Sequence, residues 1–357
     1  MKISELKNQT ILITGAAGSI GRELVLGLAQ YQPKQLILVD ISELGMHSLL
    51  QEMAIHFPQV KLTYYLESIC DAAFIAALFE RQRIDLVFHA AAYKHVSLME
   101  ANVCAAIKTN IKGAKLLIDT SCKHKISRFI FISTDKAVEP VSIMGMTKKV
   151  VEEYLLFKQS QAMNTQLNIL RLCNVYDSSG SVVPVFKERI QQKLSLEIKG
   201  DEVQRAYIQK DQLLPMVLAI LDTAHSGRVF IPKLFSVQTV AQIANHLVQE
   251  LLGISLSEYP IAYKALPEYE KEKELLYLKS DTVHSMDNDV LLRIDPSTTQ
   301  IDIEMLMQCI KAAEAFKSAE ARVLLQKLAI SYLKLALVLL MIRSRSCSYF
   351  PANFTFF

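Results

Sequence analysis

The stretch TILITGAAGSIG, Thr10 to Gly21, decides the fold. An apolar, β-branched run ends in glycines at Gly15, Gly18 and Gly21, and the amphipathic run GRELVLGLAQ continues from the last of them. The first glycine permits a tight turn, the second lets backbone approach a pyrophosphate, and the third lets helix and strand pack closely. The helix start at Ser19 and Ile20 offers unpaired N–H groups to an anion. Such a loop alone could be a plain βα turn, but between a strand and a helix it predicts a dinucleotide site. Asp40 closes the next apolar run, QLILVD, about 20 residues on, where a carboxylate accepts from ribose hydroxyls and repels a 2′-phosphate. NAD is therefore expected rather than NADP; Asp40 could also cap a helix beginning at Ser42, which is compatible with that role.

Working outward, the runs at 10–15, 35–40, 61–66 (KLTYYL), 85–90 (DLVFHA), 128–133 (RFIFIS) and 167–172 (LNILRL) are continuous and apolar. Strands covered on both faces read this way. Helix-period stretches separate them, which predicts an α/β fold with a Rossmann-type doubly wound parallel sheet, its ligands at the carboxyl ends of the strands. After Leu172 the rhythm breaks. Residues 1–172 are read as the dinucleotide-binding domain, 173–332 as a smaller substrate-binding part interleaved with it, and 333–357 as an apolar and basic tail. VFKERIQQKL is read as a helix, and the run EYEKEKE, 268–274, as a solvated helix face.

Composition narrows the classes. The 357 residues are 51% hydrophobic and carry a formal charge of +3, enough for a large core and too little for a nucleic-acid-binding face. The six Cys form no CxxC pair, so no metal site is expected and a reducing compartment is. MKISELKNQTILITG lacks a signal-like apolar region, which points to the cytoplasm. LALVLLMI, 335–342, is too short to span a bilayer; with RSRS after it, it reads as a core-docked helix or a contact with the inner membrane surface or a partner.

Two further stretches carry chemistry. In HAAAYKHVSLMEAN, His89 to Asn102, the small residues Ala90, Ala91 and Ala92 let the chain pass flat beside a nicotinamide. Tyr93, Lys94, His95 and Glu100 follow, and cations near a helix N-terminus call for an anion, which a nucleotide diphosphate supplies. In STDKAVEPVSIMGMTKK, Ser133 to Lys149, a strand delivers Thr134, Asp135 and Lys136 to the sheet's carboxyl edge. Met144 and Lys148 lie four apart, on one helix face. Lys148 suits the nicotinamide ribose, and the adjacent Asp135 and Lys136 suit proton transfer.

Together TGAAGSIG, HAAAYKHVSLME, IKTNIKGA, STDKAV, MGMTKK, RLCNVYDSSGSVVPVFKE and LLQKLAISY resemble the polysaccharide-biosynthesis family of extended short-chain dehydrogenases, from about residue 5 to Tyr332. That family includes UDP-N-acetylglucosamine 4,6-dehydratases. The resemblance implies oxidation of a UDP-linked sugar at C4, removal of the C5 proton, loss of the C6 hydroxyl as water and hydride return to C6. It assigns Asp135 as the acid, Lys136 as the base and Thr134 as the group polarising the C4 oxygen. Met144 stands where other short-chain dehydrogenases carry a catalytic Tyr, so C4 deprotonation falls to Asp135 or a water. By the same resemblance Asn110 and Lys94 join the cofactor set, and Lys94, His95, Glu100, Asn174, Ser181, Val182, Arg205 and Lys271 the substrate set. A homo-oligomer through helices of the first domain is implied as well. Departures cluster downstream: Cys173 replaces a Gly, Ser179 an Arg, and the late RPGEK motif survives loosely as Glu270 and Lys271. A nucleotide-sugar epimerase and a catalytically silent NAD-binding subunit are the competing readings.

Overall fold

The computed structural model describes residues 3–161, 164–200, 202–295 and 301–329. Six parallel strands, β1 (Thr10–Thr14), β2 (Gln35–Asp40), β3 (Leu62–Leu66), β4 (Leu86–His89), β5 (Arg128–Thr134) and β6 (Gln166–Leu172), coincide with the six apolar runs. Their spatial order is 3-2-1-4-5-6, so the winding reverses between β1 and β4 and opens a crevice at their carboxyl ends. Thr14 pairs with His89 and His89 with Phe131, which brings β1, β4 and β5 level at that crevice. β5 runs three residues further, to Thr134, and sets the next residues over the opening.

Phe88, Phe129 and Phe131 fill the sheet's centre and are fully buried. Each such side chain contributes roughly 1.5–3 kcal/mol of hydrophobic stabilisation. β3 departs from the expectation of strands covered on both faces: Tyr64 and Leu66 are exposed, because among the described residues this strand ends the sheet and pairs with β2 alone.

The later chain is threaded back into the first domain. After the two-residue β7 (Asn174–Val175), β8 (Leu196–Lys199) and β9 (Gln204–Ile208), strand β10 (Val229–Pro232) adds to β6 in parallel. Beyond β11 (Ser236–Thr239) and β12 (Ile261–Lys264), the hairpin of β13 (Thr282–Ser285) and β14 (Leu291–Asp295) continues the large sheet in antiparallel fashion. A separate small core forms around Val183, Phe186, Ile198, Tyr207, Ile243 and Leu247. It joins Val182–Gln191, the helix expected around VFKERIQQKL, to Val240–Leu252.

The helices around the crevice are α1 (Ser19–Ala29), α2 (Glu43–His56), α3 (Ala72–Arg81), α4 (Val96–Ala101), α5 (Val103–Ala106), α6 (Ala114–Lys123) and α7 (Ile143–Ser160); a π-helical turn, Ile107–Gly113, joins α5 to α6. Ile303–Glu314 and a helix over 318–329 cover this group, and Arg322 reaches Glu100 across it. EYEKEKE is not a helix; it is a loop whose Lys273 bridges to Gln204. No helix among the described residues is long and apolar enough to cross a membrane. The tail expected at 333–357 lies outside the described residues.

Candidate functional site

At the crevice floor Gly15 has φ +68°, and a Cβ there would sit 2.6 Å from the backbone nitrogen of Ala91. A Cβ on Gly21 would lie 2.0 Å from the Gly15 carbonyl oxygen. The glycine loop and the Ala90–Ala91 segment therefore close on each other to a degree only glycine permits, and leave the cradle that a dinucleotide's pyrophosphate needs. One Asp40 oxygen accepts from the Ala17 N–H and the other from the Ser42 N–H, each at 2.9 Å, so Asp40 ties the loop to the end of β2. Asp40 is not the helix cap as well: Ser42 itself caps α2, its hydroxyl accepting from the Gly45 N–H.

Lys148 reaches back from α7 under the crevice. Its Nζ donates to the Ile132 carbonyl at 2.9 Å and lies 4.5 Å from the centre of the Phe131 ring. Burial lowers its pKa to about 8, against the opposing pull of the Glu152 carboxylate. Glu152 accepts from Ser133 at 2.6 Å and from Arg171 at 3.1 and 2.7 Å, forming a fully enclosed network behind the end of β5. Met144, one turn before Lys148, is buried in the main core.

Asn110 does something different from the expected cofactor contact. Its side chain accepts from the Tyr93 N–H at 2.8 Å and donates to the Tyr93 carbonyl and the Thr147 hydroxyl, each at 3.0 Å. It thereby holds the Ala90–Lys94 segment in place. Glu100 is likewise engaged away from the opening: its carboxylate accepts from the Ile143 N–H at 2.6 Å and from Arg322 at 2.9 Å.

Thr134, Asp135 and Lys136 form a compact cluster. Asp135 is 1% exposed; its Oδ1 accepts from the Thr134 hydroxyl at 2.9 Å and from Lys136 Nζ at 3.1 Å, while Oδ2 has no partner among the described residues. Lys136 Nζ also lies 3.4 Å from Asn174 Oδ1 and 3.7 Å from Glu274. Burial alone would lower the Lys136 pKa, but the Asp135 and Glu274 carboxylates outweigh it and hold the ammonium above its ordinary value. A cavity of about 160 Å³ opens beside the cluster, walled by His95, Lys136, Ser142, Arg205, Lys271 and Glu274. Ligand sites usually measure about 300–1,000 Å³, so this space suits one end of a ligand.

Arg205 comes to the cavity wall, yet its Nη1 donates to the carbonyls of Gln204, Lys271 and Glu272, and its Nη2 lies 3.6 Å from Glu270. It braces the 270s loop instead of projecting a free guanidinium toward a phosphate. Lys271 donates to the Val138 carbonyl at 2.8 Å and sits 2.9 Å from Glu274. On the opposite rim, Lys94 donates to the Ser179 carbonyl at 2.5 Å, and the His95 ring packs where a Cβ on Gly180 would come within 2.5 Å of it. Burial lowers the pKa of Lys94; burial and the Lys94 charge lower that of His95. Ser181 precedes Val182 at the head of its helix, with a buried hydroxyl lacking a partner among the described residues.

Reading the sequence missed Glu274, Glu152 and Arg171. Glu274 abuts the apolar Leu275–Leu276, a sign that the charged run turns inward. Glu152 stands four residues from Lys148 and from Leu156, hence on α7's buried face.

A family model described as "Polysaccharide biosynthesis protein" matches residues 11–296. The UDP-N-acetylglucosamine 4,6-dehydratase (inverting) of Campylobacter jejuni is 33% identical over 70% of this chain and 75% of its own length. The capsular polysaccharide biosynthesis protein CapD of Staphylococcus aureus is 31% identical over 78% of this chain, which spans only 46% of that longer protein. A UDP-glucose 4-epimerase of Rickettsia canadensis is 30% identical over 78% of this chain and 81% of its own. Among solved structures, Pen from Bacillus thuringiensis superposes with a TM-score of 0.75 at 25% identity, over 83% of this chain and 92% of that one. The chain belongs to the polysaccharide-biosynthesis family of extended short-chain dehydrogenases.

Proposed function

We propose that the chain is an NAD-dependent 4,6-dehydratase of a UDP-N-acetylhexosamine. The observation that carries this reading is the Thr134–Asp135–Lys136 cluster: a buried carboxylate with one oxygen 3.1 Å from an amine and the other unpaired among the described residues, where a tyrosine-dependent enzyme would place its proton transfer at position 144. The glycine cradle, Asp40 and Lys148 fit NAD, which supplies hydride acceptance from sugar C4 and its return to C6. The Thr134 hydroxyl attends the C4 oxygen, and the Asp135 carboxylate, directly or through a water, takes the C4 hydroxyl proton and so enters its acid form. Lys136, as the free amine, takes the C5 proton; the C–H electron pair moves into conjugation with the C4 carbonyl. Asp135, in its acid form, protonates the departing C6 hydroxyl, and C5 takes a proton back, from the Lys136 ammonium or from water, as the hydride reaches C6. The two groups needed for elimination thus stand side by side.

Incubation of the purified protein with UDP-N-acetylglucosamine and NAD is expected to yield a 4-keto-6-deoxy sugar by nuclear magnetic resonance, without net NADH. An epimer retaining its C6 hydroxyl would assign the chain to the epimerases. Bound NAD with no stabilisation by any UDP-sugar would make it a silent subunit. Lys136→Ala is expected to lower C5 exchange with deuterated water by about a hundredfold or more.

A further inference from the structure

The 270s loop brings a carboxylate into the cavity that no motif anticipated. Its backbone is pinned at several points: Arg205 holds the carbonyls of Lys271 and Glu272, the Gln204 N–H donates to Glu272 at 2.9 Å, and Arg171 donates to the Leu276 carbonyl at 2.7 Å. Held this way, the Glu274 side chain is 3% exposed, with Oε1 3.7 Å from Lys136 Nζ and Oε2 2.9 Å from Lys271 Nζ. A carboxylate so deep in the protein is stable only when paired, and its partners are the two amines that wall the cavity.

We propose that Glu274 is a positioning residue that fixes Lys136 at the substrate and strengthens it as a base. The inference rests on Lys136 acting at C5. When Lys136 takes that proton, the C5–H bond breaks, an N–H bond forms, and a new ammonium appears between Asp135 and Glu274. Glu274 stabilises that product, so it increases the driving force for abstraction while making the free amine scarcer near neutral pH. The other groups facing Lys136 are Asp135, which also favours the ammonium, Arg205, which opposes it, and the Cys173 thiol, whose pKa burial pushes up to about 12. Among these groups Glu274 is the one that pairs with the Lys271 ammonium, so it couples the base to the loop that walls the cavity.

The test is competitive acylation of Lys136 by acetic anhydride across pH, read by peptide mass spectrometry on the NAD-loaded protein. It needs no turnover, so it is independent of whether the dehydratase reading holds. Glu274→Gln is expected to lower the Lys136 midpoint by about one to three pH units. Glu274→Asp should restore part of that shift. Lys271→Met, which removes the competing ammonium and keeps Glu274, should move the midpoint upward; it serves if the Gln variant does not fold. In turnover, the acid limb of kcat should move to lower pH in Glu274→Gln with a lower plateau, and KM should change less than kcat. A Lys136 midpoint unmoved in folded Glu274→Gln, or not raised in Lys271→Met, overturns the proposal.

Discussion

Ser19 and Ser179, 160 positions apart, are joined by two hydrogen bonds: the Ser19 hydroxyl accepts from the Ser179 N–H at 2.9 Å and donates to the Ser179 hydroxyl at 3.1 Å. Ser19 opens α1 at the glycine loop, and Ser179 belongs to the segment that leads into the substrate side. The loop over 177–181 is therefore tied to the start of α1 beside the glycine turn, and Lys94 fastens it as well. Lys94→Met is expected to speed release of a fluorescent NAD analogue by about fivefold in stopped-flow displacement, the value of one hydrogen bond of roughly 1 kcal/mol. An unchanged release rate would mean the loop does not gate the cofactor.

The glycine cradle has no room to adjust, because backbone stands on both sides of it. Gly21→Ala places its methyl against the Gly15 carbonyl and is expected to cost about 2 kcal/mol or more in urea unfolding and to abolish NAD retention. Gly253→Ala is the control: that residue, unlike the helical Gly21, has positive φ, +70°, but nothing lies near its Cβ position. It should cost only about 1 kcal/mol and leave NAD in place.

Burial alone would raise the Glu152 pKa, yet the Arg171 charge and the hydrogen bonds from Arg171 and Ser133 hold it below the ordinary range. A carboxyl depressed in the folded state contributes stability that is complete above its unfolded pKa and is lost as pH falls through the folded one. Arg171→Met is expected to cost about 3–5 kcal/mol at neutral pH by leaving a buried charge unpaired. In Glu152→Leu/Arg171→Met, most of that loss should be recovered, and acid unfolding below about pH 4 should be flatter than in the wild type.

Lys148 has the opposite sign. Its pKa falls from 10.5 to about 8, so the folded protein resists carrying its charge. The resulting penalty is fully present below pH 8 and is relieved as pH rises toward 10.5. Relative to Lys148→Met, the wild type should therefore gain stability across that interval in denaturant titrations at fixed ionic strength. The same variant should bind NAD more weakly at pH 7, which would show that the penalty is retained for the cofactor. Parallel stability curves would remove the titration from Lys148.

Local pattern was enough to specify the first six strands and the tight glycine turn. Strand runs, glycine spacing and the terminal Asp40 are short-range features, and the six parallel strands formed where continuous apolar runs had to be covered. Even so, β3's exposed face depended on its place at the sheet edge, which periodicity does not encode. The cluster Thr134–Asp135–Lys136 was legible because adjacent residues after a buried strand have little freedom to separate.

The substrate side was settled by tertiary structure. EYEKEKE read as a solvated helix because a charge run ordinarily seeks water, but Arg205 and Arg171 bind the carbonyls of this segment and turn Glu274 inward. Asn110, Glu100 and Arg205 are polar residues whose type suited a ligand; the folded chain assigns their hydrogen bonds to backbone and side chains from distant segments. The sequence by itself determined the six parallel strands, the tight glycine turn after β1 and which groups stand at the end of β5. Only the tertiary structure decided which charges face the cavity, because a long-range partner for a buried polar group is chosen by folding and leaves no periodic trace.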